Sequence, residues 1–240
     1  LRSKGGPDRK RILVCLGYQQ LTGQTIAIAE ILGHVAAFHE IVCAVDWTSP
    51  LVLRLPWSIR LIRDPAQALA SCDCILADPA YPSETLPDSA PPLILTVHSF
   101  PTILHDLPQD VLVRRLARAT VVHFVSETQR RSFVDAYPQL SLDQRSRVIW
   151  NFTERIGRRG DSAGAMMRLG VVGHHNRAVK DTRRAVELAA MSKAQSIECW
   201  GSTHIHGLDP GSVPEVCHLR GWSDDKQQIY GSFAVLISTS

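Results

Sequence analysis

The sequence predicts an α/β protein built from two Rossmann-like halves, each around a parallel sheet, and three observations predict it. Leu169–Ala190 joins an apolar run (Leu169, Val171, Val172) to Gly173, a polar turn His174–Val179, and then Lys180 and Asp181 ahead of a helical pattern. That order is a strand, a phosphate-sized loop and a helix N-terminus. The same order opens the chain: Ile12–Leu16 is an apolar strand, Gly17–Gly23 a flexible turn, and Gln24–Val35 carries apolar residues at helical spacing. Between these two openings, short apolar runs alternate with helical or loop stretches, as crossover connections in a parallel sheet require.

In chain order, the strands of the first half are Ile12–Leu16, Ile41–Val45, Ile75–Leu76, Leu93–Val97, Val121–Val125 and Val148–Trp150. Helices are read from one apolar face at i, i+3, i+4, i+7 spacing: Ile28, Ile31, Leu32 and Val35, then Leu112, Leu116 and Ala119. Ser126-Glu127-Thr128-Gln129 reads as a capping box, with Ser126 accepting from the backbone and Gln129 reaching back. Leu51–Arg63 alternates apolar residues with Arg54, Arg60 and Arg63. A core strand with solvated arginines is the preferred reading, and a surface lying on an anionic membrane is the other.

Periodicity is lost over Thr153–Ala165, rich in Gly, Arg and Ser, which sets the domain boundary: residues 1–155 form one domain and 166–240 the second. In the second, strands are expected at Leu169–Val172, Ile197–Trp200, Val216–Leu219 and Phe233–Ile237, with a helix through Thr182, Ala185, Val186 and Ala189. The apolar Phe233–Ile237 close to Ser240 reads as an unfinished sheet, so the second domain is expected to be incomplete and the natural chain longer.

The 240 residues are 45% hydrophobic and 20% charged, an ordinary globular balance. The net charge of +3, from 26 basic and 23 acidic residues, gives no concentrated basic face for nucleic acid and leaves room for a small anionic ligand. The six cysteines lie mostly in or beside apolar runs, as buried reduced thiols do. No stretch approaches the roughly 20 apolar residues of a membrane span, and Leu1–Arg11 has no signal-peptide core. A cytoplasmic protein, peripheral to the membrane at most, is expected. His174, His175, His204, His206 and Cys199 match no zinc spacing, so no metal site is assigned; Cys72-Asp73-Cys74 lacks the two-residue spacing of a redox or zinc motif and reads as a strand edge.

Five positions carry chemistry by placement. Lys180 at the foot of a helix adds an ammonium to free N–H groups and a positive dipole end, which suits phosphate. Gly23 and Gly173 serve ligand approach or turn geometry. His98 ends an apolar strand, where open α/β sheets bind ligands. Asp46 stands after the second strand about where a ribose-binding acid would follow a glycine turn, the mark of a nicotinamide-dependent oxidoreductase, although Gly17 and Gly23 do not make G-x-G-x-x-G.

These motifs resemble those of the GT-B glycosyltransferases, in particular the large retaining family of sugar-nucleotide-dependent enzymes numbered fourth in the usual classification. Thr22-Gly23-Gln24-Thr25 is similar to the glycine-containing first turn of that family, with Thr22 in the place of a first glycine. Leu93–Val97 with His98 resembles its strand ending in an active-site histidine, Val125-Ser126-Glu127 the strand and serine that follow, and Val148-Ile149-Trp150-Asn151 the strand before the interdomain crossover. Val172-Gly173 through Lys180 is similar to the donor-diphosphate loop, where His174 replaces an arginine and Arg177 stands ready to supply that charge. Leu219-Arg220-Gly221-Trp222 and Ile229–Ser240 resemble the approach to the family's glutamate-bearing loop.

The resemblance implies a retaining, metal-independent transferase without a cofactor, moving a sugar from a nucleoside-diphosphate donor to an acceptor hydroxyl in polysaccharide or glycoconjugate synthesis. It implies catalysis between an acceptor-side and a donor-side domain. His98 becomes the catalytic contact to the transferred sugar, and Gly23, Gly173, Arg177 and Lys180 the donor-binding residues. A non-catalytic sugar-nucleotide or partner-binding module is the alternative from another class.

Overall fold

The opening apolar run becomes the middle of a sheet. In the computed structural model, which describes residues 9–20, 23–101, 104, 107–151, 167–192, 194–223 and 225–238, the chain divides into two compact units, Leu1–Thr153 and Glu154–Ser240. The segment expected to link two domains, Thr153–Ala165, lies outside the described residues, as does Thr22.

Among its described residues the first unit holds seven strands: β1 (Arg11–Cys15), β2 (Glu40–Ala44), β3 (Arg60–Ile62), β4 (Cys74–Ala77), β5 (Leu93–Val97), β6 (Val121–Phe124) and β7 (Ser146–Val148). They pair in the order β3-β2-β1-β4-β5-β6-β7, and every pair is parallel. Among the described residues five α-helices lie between them: α1 (Gly23–Val35), α2 (Ala66–Leu69), α3 (Gln109–Arg118), α4 (Glu127–Ala136) and α5 (Leu142–Arg145). Alternation along β1 serves two cores. Val14 and Leu16 pack with Ile28, Ala29 and Leu32 of α1, whereas Leu13 and Cys15 belong to the cluster that includes Leu112 and Leu116 of α3 and Phe133 of α4. A parallel sheet buried on both faces needs apolar residues at successive positions, which is why its central strands read as continuous runs.

Two expectations fail at the edges. Leu51–Arg63 is not one strand: Ser49 Oγ accepts from the Leu51 amide to start a 3-10 turn over Pro50–Arg54, and only Arg60–Ile62 joins the sheet, as β3. Pro50 and Pro56 lack the N–H a ladder uses, and the buried residues Leu51, Leu55, Ile59 and Ile62 recur every three or four positions rather than every two. The strand expected at Val148–Trp150 lies earlier, as β7; Ile149 and Trp150 are exposed. As the outermost strand, β7 tolerates Ser146 and Arg147, so the apolar run did not mark it.

The second unit pairs β8 (Arg168–Gly173), β9 (Ser196–Gly201), β10 (Cys217–Gly221) and β11 (Val235–Leu236) in the order β10-β9-β8-β11, again parallel. Ala185, Val186 and Ala189 of α6 (Thr182–Met191) cover Leu169, Val171, Ile197 and Cys199 on one face. The short α7 (Lys226–Gly231) precedes β11. The strand expected at Phe233–Ile237 is two residues long and half exposed, because β11 has one neighbour; Phe233 instead lays its ring over Gly170, where a Cβ would not fit.

Candidate functional site

In both sheets the strand order reverses at one place, and ligands of open α/β sheets bind outside the carboxyl ends of strands at such a reversal. In the first unit it lies between β1 and β4. There Asp78, fully buried just after β4, accepts from the amides of Gly17 (2.9 Å), Tyr18 (3.2 Å) and Tyr81 (2.9 Å). Burial raises its pKa, against the pull of those same amides. The turn after β1 is thus stitched to the turn after β4, and Gly17 lies so close to Ala80 that a Cβ would strike its backbone. Gly23, by contrast, begins α1 with open space around its Cβ position.

His98 follows β5 by one residue and is partly buried. Its Nε2 lies 3.1 Å from Thr96 Oγ1, which lies 2.8 Å from His123 Nδ1; His123 Nε2 reaches the Ile149 carbonyl at 3.0 Å. Thr96 and His123 are register partners on β5 and β6. Burial, reinforced by His123, pushes the His98 pKa down to about 4, and burial lowers that of His123 as well. Both rings are therefore neutral near pH 7. The loop after His98 is held from the next strand-to-helix turn: Ser126 Oγ caps α4 by accepting from the Gln129 amide (3.1 Å). Gln129 accepts from the Val125 amide (2.9 Å) and donates to the Ser99 carbonyl (3.0 Å). Ser126 is a cap, worth about 1 kcal/mol, and Gln129 is the buried tie.

In the second unit the reversal lies between β8 and β11, and the β8–α6 loop stands there. Gly173, last in β8, has φ 145° and nothing around its Cβ position, while the neighbouring Gly201 (φ 135°) sits so close that a Cβ there would collide with the Gly173 carbonyl. Arg177 precedes a 3-10 turn ending at Lys180; Asp181 (φ 41°) then turns the chain into α6. Burial, then the positive charges of Arg177 and Lys180, holds the pKa of His174 below its ordinary value, so these three side chains share one neighbourhood. His174 packs against exposed Trp222 with ring centroids 4.7 Å apart. His175 is turned inward, its Nδ1 3.2 Å from Thr182 Oγ1 at the start of α6.

Gly173, Arg177 and Lys180 are thus gathered on one loop of the second unit. Gly23 and His98 stand at the carboxyl end of the first sheet, two strand positions apart. Sequence reading singled out none of Thr96, His123 and Asp78, and took Trp222 only as the end of the run Leu219–Trp222. Only the histidine in the run Val121–Phe124 offered a signal, as a polar residue inside a strand. Among the described residues no group of three or more His, Cys, Asp or Glu is arranged to hold a metal ion, and no helix is long and apolar enough to cross a membrane.

No family model matches the chain, and no curated protein matches it by sequence. Solved structures do. HepE from Anabaena in complex with UDP is similar at a TM-score of 0.67 and 14% identity, over 96% of this chain and 74% of that one. The lipopolysaccharide outer core galactosyltransferase WaaB, in its apo form, gives 0.62 and 10% over 97% and 74%. The glycotransferase of kitacinnamycin gives 0.53 and 15% over 96% and 75%. The likeness is one of fold: the chain has a GT-B-like α/β architecture with two parallel sheets, the second smaller.

Proposed function

We propose that this chain is a retaining glycosyltransferase that moves a sugar from a nucleoside diphosphate to an acceptor hydroxyl, in polysaccharide or glycoconjugate synthesis. The observation that carries the proposal is the β8–α6 loop: an open glycine, then His174, Arg177 and Lys180 in one neighbourhood ahead of a helix N-terminus, at the reversal of strand order. A departing diphosphate gains negative charge in the transition state, and cations fixed beside a helix N-terminus stabilise it. Arg177 and Lys180 take that part, Gly173 lets the phosphates approach the backbone, His98 contacts the transferred sugar, and Gly23 lets the first turn approach donor or acceptor. HepE, with the same fold, is seen with UDP and with UDP-glucose. Buried free thiols at Cys15, Cys43, Cys199 and Cys217 fit a reducing, cytoplasmic compartment.

The nicotinamide reading is weaker. Asp46 Oδ1 accepts from the Thr48 amide and hydroxyl (2.9 and 2.8 Å), and Gly17 is closed against Ala80. A non-catalytic nucleotide-sugar module would keep the phosphate grip without turnover. Calorimetric titration of nucleoside diphosphates tests the grip: Lys180→Ala is expected to weaken diphosphate binding much more than nucleoside binding. Equal binding of every diphosphate by parent and variant would overturn the assignment. Transfer from a panel of nucleotide sugars then separates enzyme from module.

A peripheral membrane contact is favoured by one surface. Leu53 is 87% exposed and Trp57 fully so, in a stretch of chain that also exposes Arg54, Arg60 and Arg63, and the Arg63 guanidinium lies 5.5 Å from the Trp47 ring centroid. Apolar side chains flanked by arginines suit an anionic lipid surface.

A further inference from the structure

We infer that Thr96 and His123 fix the proton of His98 on Nε2, so that His98 offers Nδ1 as a hydrogen-bond acceptor, and that His123 is a positioning residue two links from the ligand. The order of donors follows from the one member that cannot donate. The Ile149 carbonyl only accepts, so at 3.0 Å His123 Nε2 must carry a proton. His123 is neutral, so its Nδ1 is bare and must receive a proton; the hydroxyl of Thr96, 2.8 Å away, has one to give. With that proton spent, Thr96 Oγ1 turns a lone pair to His98 Nε2 at 3.1 Å, and Nε2 donates. The reverse order would set a bare ring nitrogen of His123 against a carbonyl oxygen. Thr96 and His123 are buried, so water does not compete for these bonds.

His98 Nδ1 makes no hydrogen bond among the described residues. A neutral His98 of this tautomer receives an O–H or N–H from its ligand and gives nothing back at that atom. That consequence rests on the function proposed above, with a sugar hydroxyl as the ligand group; the tautomer does not.

Long-range proton–nitrogen correlation spectra of the full chain, labelled with 15N-histidine and free of ligand, test the inference near pH 7. His98 and His123 are both expected to show a protonated-type Nε2 and a bare-type Nδ1. In His123→Phe the Thr96 hydroxyl is released to donate to His98 Nε2, so the His98 pattern moves toward Nδ1–H. Thr96→Ser keeps the parent pattern, and Thr96→Val loses the slowly exchanging Nε2 proton of His98. A proton on His98 Nδ1 in the parent overturns the inference, as does an unmoved His98 in a folded His123→Phe. Should His123→Phe not fold, the contrast of Thr96→Val with Thr96→Ser decides, and equal His98 signals in the two overturn it. No substrate enters the measurement, so an expected tautomer pattern in a protein that transfers no sugar would remove the transferase reading and leave the relay standing.

Discussion

Gly17 lies against the backbone of Ala80 with no room for a Cβ between them, while Asp78 accepts the amides of Gly17 and Tyr18 beside that contact. Gly17→Ala must therefore separate the turns after β1 and β4. It is expected to destabilise the first unit by about 1–3 kcal/mol, the usual range for forced overpacking. Gly23→Ala, with open space and a helix to continue, is expected to be neutral or slightly stabilising. Denaturant unfolding of the two variants checks the contrast.

Arg115, 7% exposed, makes a bidentate pair with Glu84 (2.6 and 3.0 Å) and donates to the Pro79 carbonyl (2.6 Å), fastening α3 to the segment after β4. Glu84→Ala leaves that guanidinium without its carboxylate and is expected to cost about 3 kcal/mol. Arg115→Met removes both the charge and its need for a partner and should cost less. Equal losses would show that the pair does not set the stability of this corner.

The low pKa of His98 gives a pH dependence. The unfolded chain takes up a proton near the ordinary histidine value of about 6.5 and the folded chain only near about 4. Between those values the unfolded state binds more protons, so stability rises with pH across this window, is complete above about 6.5, and falls as the solution is acidified. His123, His174 and His175 shift in the same direction and add to the slope. Histidine proton resonances followed by NMR should show His98 still neutral at pH 5; titration near 6.5 would contradict the prediction.

Arg177→Ala is expected to weaken nucleoside-diphosphate binding about ten- to hundred-fold, the value of a charge-assisted contact of about 1.5–3 kcal/mol. His174→Arg should leave binding equal or tighter, since it adds a cation to the same neighbourhood. Calorimetry on both variants reads the difference.

Flotation with vesicles tests the exposed face around Trp57. Binding to anionic vesicles but not to zwitterionic ones is expected, with loss in Leu53→Glu combined with Trp57→Glu; both residues are exposed, so folding should be unchanged.

The sequence by itself determined the two strand–turn–helix openings, because β1 with α1 and β8 with α6 are continuous in the chain and carry their own apolar spacing. Lys180 at the foot of α6, His98 at the end of β5 and the Ser126 cap were legible for the same reason. The edges were not: Arg60–Ile62 joins the sheet by pairing with β2 and Ser146–Val148 by pairing with β6, and nothing in the apolar stretch Leu51–Arg63 or in Ser146-Arg147 marks where those pairings begin and end.

The tertiary structure alone decided the order β3-β2-β1-β4-β5-β6-β7, and with it which residues meet. Thr96 faces His123 across 27 positions, Asp78 reaches Gly17 across 61, and Glu84 meets Arg115 across 31. Sequence spacing fixes which face of its own element a side chain takes. Which distant side chain stands opposite it is set by strand register and by the hydrogen bonds that buried polar groups must find, and these exist only once the sheet has formed.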